Sequence, residues 1–283
     1  METTTSLAAA ATVNPLSAAA LPANALPISA LPVNALPINA LPINALTVDV
    51  QAAPACAASD ARAELGQLAR LDLLLELLDA HAVHATFFIQ GALARRQPQL
   101  VRRIARAGHE LASHGYAQDS PALHTRAQFR RDILRSKGVL EDTAAVPVLG
   151  YRAPGMPLTR AHGWALDTLY RHGYRYSASA WPGEEAAMAS YQPRYPHGAD
   201  GILDLPAAHW HFGPLQLNLG AALTLPLCPY PVARLLLRQI NAQAAQPAVV
   251  RLDWHGPRMR SRLRALSEDF RWARIDHLFP VTP

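Results

Sequence analysis

The sequence predicts an α/β fold: a mainly parallel sheet or barrel around one core. Three observations carry this. Short runs of β-branched, aromatic or apolar residues alternate with longer amphipathic runs, the pattern of repeated strand–helix units. Polar residues close several of the short runs, as His114 closes Leu111-Ala112-Ser113, and the carboxyl ends of parallel strands are where such folds do chemistry. The 283 residues, half of them apolar, are also enough for one α/β barrel.

Each element has its own signal. Asn44 to Val50 is a buried strand ending in an acid, Asp49-Val50. Ala61 to Ala80 is a helix with leucines 65, 68, 71, 74, 75 and 78 on one face. His84 to Ile89 is a strand. Pro98 suits the first turn of a helix through Ala107, and Gly108 ends it. After the short strand before His114, Thr125 and Gln128 form a capping box that opens a helix to about Asp142. Val148 to Tyr151 is a strand, Thr159 starts a helix that Gly173 ends, and Tyr174 to Ser179 and Gly201 to Leu205 are strands. Pro229 to about Ala242 is helical, Ala248 to Leu252 is an apolar strand, and Arg258 to Phe270 is a basic amphipathic helix.

Residues 1–43 are set apart. Residues 3 to 48 carry no charge, and Leu-Pro recurs at 21, 26, 31, 36 and 41. A period of five fits neither helix nor strand, and proline removes amide donors. We therefore expect a low-complexity, disordered arm at 1–43 and one domain at 44–283. With no Lys or Arg before residue 46, the start lacks the basic region of a secretory signal, and the expectation leans to a cytoplasmic protein. Proline interrupts every apolar run long enough to span a bilayer, so no membrane span is expected. The net charge of +5 comes almost wholly from arginine, Lys137 being the single lysine. No aromatic-interleaved basic run accompanies it, which argues against a nucleic-acid partner. Cys56 and Cys228 are too few for a disulfide framework, and their spacing suits no zinc motif.

Five stretches in order, "HATFFIQG", "AGHELASHGY", "GYRAPG", "GYRYSASAWP" and "PAVVRLDWHG", resemble the NodB-type polysaccharide deacetylases, the family 4 carbohydrate esterases. "NALTVDV" is similar to the opening of the subclass encoded with exosortase and exopolysaccharide loci. The resemblance covers about residues 44 to 279 and implies a distorted, incomplete (β/α) barrel. It also implies a hydrolase that removes N-acetyl groups from acetylated amino-sugar polysaccharides. In the family a divalent metal, usually zinc, is held by an acid and two histidines; an aspartate is the base and a histidine the acid.

Carried over by position, the base falls on Asp49 and the arginine that orients it on Arg152, followed by Pro154. The first metal histidine falls on His114. The other two ligand positions hold Gln51 and Gln118, and the acid-histidine position holds Asp253. A carboxamide is a poor zinc ligand, and an ordinary aspartate has no proton to give at neutral pH. The resemblance therefore implies impaired activity; the alternative is a non-catalytic relative that binds glycan or a partner protein. One rescue stays open. Asp253 and His255 point the same way on an extended strand end, so His255 could serve as acid and Asp253 as a ligand beside His114. Tyr151, Pro154 and Trp254 are the expected substrate contacts, with Trp181 and Trp210 as further stacking candidates. His209 and His211 share one face of an extended segment. The bland readings are an Asp49–Arg152 ion pair that ties two strand ends, and a His114 that is simply hydrogen-bonded.

Overall fold

The computed structural model describes residues 42–52, 61–117, 119–121, 124–155, 158, 162–180, 201–206, 208–212, 215–218, 229–243, 247–252, 254–255 and 258–279. In chain order the strands are β1 (Ile43–Val50), β2 (Thr86–Ile89), β3 (Glu110–Ser113), β4 (Gly150–Tyr151), β5 (Tyr176–Ala180), β6 (Leu203–Pro206), β7 (His209–Phe212), β8 (Leu215–Asn218), β9 (Val249–Arg251) and β10 (Arg271–Ala273). The helices are α1 (Ala61–Ala80), α2 (Gly91–Arg96), α3 (Pro98–Arg106), α4 (Arg126–Ala144), α5 (Gly163–Arg171), α6 (Tyr230–Gln243), α7 (Met259–Asp269) and α8 (Ile275–Leu278).

Eight strands form one sheet, all paired in parallel, in the order β10-β1-β2-β3-β4-β5-β6, with β9 also on β1. β1 is the hub. Ala45 pairs with both β9 and β10, and from Thr47 onward β2 takes over the edge that β10 leaves. Between β6 and β9 the described residues have no ladder, but Ala208 N–H donates to Val249 O at 2.9 Å. The sheet is thus a nearly closed parallel barrel with helices around it, the distorted (β/α) barrel that the sequence implied. β7 and β8 form a separate antiparallel hairpin.

Strand alternation sorts the core into two layers. Outward-facing Val48, Phe87, Ile89, Leu111 and Tyr151 pack on Leu71, Leu74 and Leu78 of α1, Ile104 of α3 and Phe129 and Ile133 of α4. Inward-facing Ala45, Phe88, Ala112, Tyr176, Ala178, Leu205 and Val249 fill the barrel, with Ile275 of α8 below them. Gly150 has to be glycine: a Cβ there would stand 2.1 Å from the Tyr176 ring that crosses it.

The local signals explain most boundaries. The capping box is complete, with Thr125 accepting from the Gln128 amide and Gln128 reaching back to the Thr125 amide. Pro98 opens α3, and Gly108 leaves it at φ +78°. β2 starts two residues later than expected because the Ala85 amide goes to His109 Nδ1, not to a ladder partner. α5 starts at Gly163; Thr159 lies outside the described residues. The short elements α2, β8, β10 and α8 have no periodicity to announce them. The arm at 1–41, Cys56, Cys228 and Trp181 also lie outside the described residues, and no described helix is long and apolar enough to cross a membrane.

Candidate functional site

The barrel's inward register brings four polar side chains to the carboxyl ends of four strands: Asp49 on β1, His114 after β3, Arg152 after β4 and Arg251 on β9. Asp49 is gripped from both sides. Arg152 Nη1 donates to Oδ1 and Arg251 Nη1 to Oδ2, each at 2.7 Å. The side chains of Asp49 and Arg152 are 12% and 9% exposed, that of Arg251 30%. Burial alone would raise the Asp49 carboxyl, but the Arg152 and Arg251 guanidiniums hold it well below the usual carboxylate range.

Arg152 is the keystone. Its Nε donates to Ala178 O at 3.2 Å, its Nη1 also reaches Thr47 Oγ1 at 3.1 Å, and its guanidinium lies 4.0 Å above the Phe88 ring. Its own carbonyl meets His114 Nδ1 at 2.9 Å. A carbonyl only accepts, so Nδ1 carries the proton and Nε2 keeps the lone pair. Burial, with Arg152 and Arg251 against it, pushes the imidazole's pKa down although Asp49 pulls it up. His114 is therefore neutral.

Two loops complete the frame. The turn after His114 hangs on α4, where Asp132 accepts from the amides of Tyr116 (2.8 Å) and Ala117 (2.9 Å). Pro154 packs beside Gly115. The chain leaving β1 is fixed by Gln90, whose side chain accepts from the Ala52 amide, and by Gln67, which donates to Gln51 O, both at 2.9 Å.

The expected residues fare differently. Asp49, Arg152 and His114 come together. Gln51 sits half-buried at the end of β1. Gln118 and Asp253 lie outside the described residues, so the pairing of Asp253 with His255 is not placed. His255 is exposed and stacks on Trp254, ring centroids 4.2 Å apart. Trp254 is 2% exposed, and its Nε1 donates to Asp49 O at 2.8 Å; it braces β1 and offers no open face for a sugar. Tyr151 alternates with Arg152, so it points out of the barrel, edge-on to Phe129 and Tyr174. It is a core residue, and the expected substrate contact is corrected by strand parity. β7 carries His209, Trp210 and His211 on a hairpin; their side chains are not described. The reading from sequence missed Arg251. The available signal was a charged residue on the inward face of an otherwise apolar strand, Val249-Val250-Arg251.

A catalytic zinc site needs three protein ligands and an open position. His114 has the right tautomer for one of them. Among the described residues no cluster of three His, Cys, Asp or Glu side chains converges, and both oxygens of the nearest carboxylate are taken by arginines. The described residues do not fit a three-ligand zinc ion.

Together these features define a (β/α)-barrel protein with a polar, arginine-bridged centre at the carboxyl ends of its strands. The family model for polysaccharide deacetylases matches residues 66–177. A chitooligosaccharide deacetylase of Sinorhizobium fredii is 36% identical over 134 residues, 46% of this chain and 56% of that protein. A peptidoglycan-N-acetylglucosamine deacetylase of Bacillus cereus is 32% identical over 95 residues, 33% of this chain and 34% of its own length. This chain thus spans between a third and just over half of these curated relatives. Among solved structures, a polysaccharide deacetylase-type protein of Mycobacterium smegmatis superposes with a TM-score of 0.59 at 23% identity, covering 85% of this chain and 92% of that one. A mutant of a Bacillus anthracis family 4 pseudoenzyme, with restored enzymatic activity, gives 0.52 at 13% identity, covering 83% and 66%. The structural likenesses establish the fold; the family match and the relatives support the polysaccharide deacetylase family for this chain.

Proposed function

We propose that this chain is a polysaccharide deacetylase-family hydrolase, descended from enzymes that remove N-acetyl groups from amino-sugar polymers with a divalent metal, and that its own activity is impaired. The observation that carries the reading is the double arginine grip on Asp49. A carboxylate whose two oxygens each accept a 2.7 Å bond from a guanidinium, and whose proton affinity is held far below normal, is a weak general base. The substituted positions Gln51, Gln118 and Asp253 support the same conclusion, because they replace two metal ligands and the acid. The substrate class follows the relatives, whose names specify chitooligosaccharide and peptidoglycan N-acetylglucosamine. The β1 sequence supports the exopolysaccharide-locus subclass.

A second reading is a pseudoenzyme that keeps the groove and binds glycan or a partner protein. The same substituted positions favour it. Calorimetry separates the alternatives. Titrating the purified chain with zinc and with cobalt is expected to give no stoichiometric binding, while the triple variant Gln51→Asp, Gln118→His, Asp253→His gains it. One equivalent of zinc bound by the unmodified chain would overturn the proposal of an impaired metal centre. Binding of an N-acetylglucosamine oligomer without acetate release would select the pseudoenzyme reading.

A further inference from the structure

The opposite, amino-terminal mouth of the barrel holds a second polar centre. Glu110, at the start of β3, points into the barrel and is 7% exposed. Tyr176 OH donates to Oε1 at 2.7 Å and Thr86 Oγ1 to Oε2 at 2.6 Å. The remaining contacts come from the C-terminal segment. The Asp276 amide reaches Glu110 Oε2 at 3.2 Å, and the Ile275 amide reaches Thr86 Oγ1 at 2.8 Å. Ile275, Leu278 and Phe279 pack on the inner cluster from below. The segment thus caps the barrel's lower end, and Glu110 with Thr86 is where it is fastened.

We propose that residues 274–279 form a proton-dependent plug, docked while Glu110 carries a proton and loosened when Glu110 ionises. None of the three groups hydrogen-bonded to Glu110 is a cation. The Asp276 carboxylate stands on the same turn, and Arg274 is committed to it through bonds of 2.9 and 2.5 Å and to Gly108 O at 2.9 Å. On β5 the facing group is Tyr176, and on β2 it is Thr86. His109, next to Glu110, points to the other face against Phe87 and His84. Arg271 and His277 are exposed. A buried carboxylate with an acid beside it and no cation on it resists ionisation. Burial, then Asp276, pushes Glu110 up to about 7, against the pull of its hydrogen bonds. A raised acid means that the docked form holds its proton where a released one does not. Docking is then strongest below the ordinary carboxyl range and weakens as pH rises through about 7. The protonated acid fits the site: with the proton on Oε1 it donates to Tyr176 O, and Oε2 still accepts from Thr86 and Asp276. A glutamine amide reproduces this arrangement.

Amide hydrogen exchange on the full chain, corrected for intrinsic rate, tests the plug. For the Ile275 and Asp276 amides, protection relative to the Leu111 amide is expected to fall about tenfold between about pH 5.5 and about pH 8. Glu110→Gln should keep these amides protected at both pH values. Asp276→Asn removes the neighbouring charge and should move the midpoint of the fall to lower pH, which decides the matter if Glu110→Gln does not fold. Protection that stays level in the unmodified chain, a Glu110→Gln chain that still loses it with rising pH, or an unmoved midpoint in Asp276→Asn would each overturn the proposal.

Discussion

Replacing Asp49 with asparagine removes the single negative charge between two guanidiniums, and the cost can be worked from their burial. Arg152 is 9% exposed and keeps only neutral acceptors, Thr47 Oγ1 and Ala178 O. Breaking a buried pair by deleting one partner costs about 3–5 kcal/mol. The asparagine carbonyl still accepts one bond, which places Asp49→Asn near the lower end, about 3 kcal/mol. For a domain of this size that lowers the melting temperature by roughly 6–12 °C. Arg251 is 30% exposed, so solvent screens its half of the grip, and Arg251→Met should cost only about 1 kcal/mol. The assay is urea denaturation of the three chains at neutral pH. A cost below about 1 kcal/mol for Asp49→Asn, or equal costs for the two variants, would refute the view that a buried Asp49–Arg152 pair is the main tie between β1 and β4.

The same pair sets an acid limit. The depressed Asp49 carboxyl contributes stability that is fully present above the unfolded aspartate range, near pH 4, and is lost as pH falls through the folded value; Asp49→Asn should flatten that part of the acid denaturation curve. His109 acts at higher pH: burial, with His84 and Arg274 nearby, lowers it to about 4, so its contribution is complete above about pH 6.5 and declines towards 4, and His109→Asn should remove that slope. Ala145 ends α4 at φ +55°, a left-handed position that penalises a Cβ, so Ala145→Gly should raise stability by about 0.5–1 kcal/mol in the same urea assay. Gly150→Ala should do the reverse, because its Cβ would lie 2.1 Å from Tyr176; soluble expression with an unchanged melting temperature would contradict the packing described.

How much of this was legible in the sequence follows from what each element depends on. Most of the run from β1 to β5 was readable because its signals are local: the β-branched and aromatic residues of Thr86-Phe87-Phe88-Ile89, the Thr125–Gln128 box, the leucine face of α1; the six residues of α2 carry no such signal. Asp49, Arg152 and His114 were singled out by their positions in the resemblance, and the fold sets all three at the carboxyl ends of strands of one parallel sheet. Arg251 carried only a weak local signal, a charge closing an apolar strand on its inward face, and the partner that gives it meaning is 202 residues away. Tyr151 adjoins Arg152 in sequence but has the opposite strand parity, so it faces the core and not the barrel mouth. The plug was invisible for a further reason. Three residues of β10 and four of α8 are too short for any period, and only the fold brings Ile275 and Asp276 under Thr86 and Glu110.

Acetate release from an N-acetylglucosamine oligomer, with zinc or cobalt added, tests the central claim most directly. No release above that of the Asp49→Asn chain is expected from the unmodified chain, and release is expected from the triple variant Gln51→Asp, Gln118→His, Asp253→His. Metal-dependent release by the unmodified chain, lost in both Asp49→Asn and His114→Ala, would contradict it.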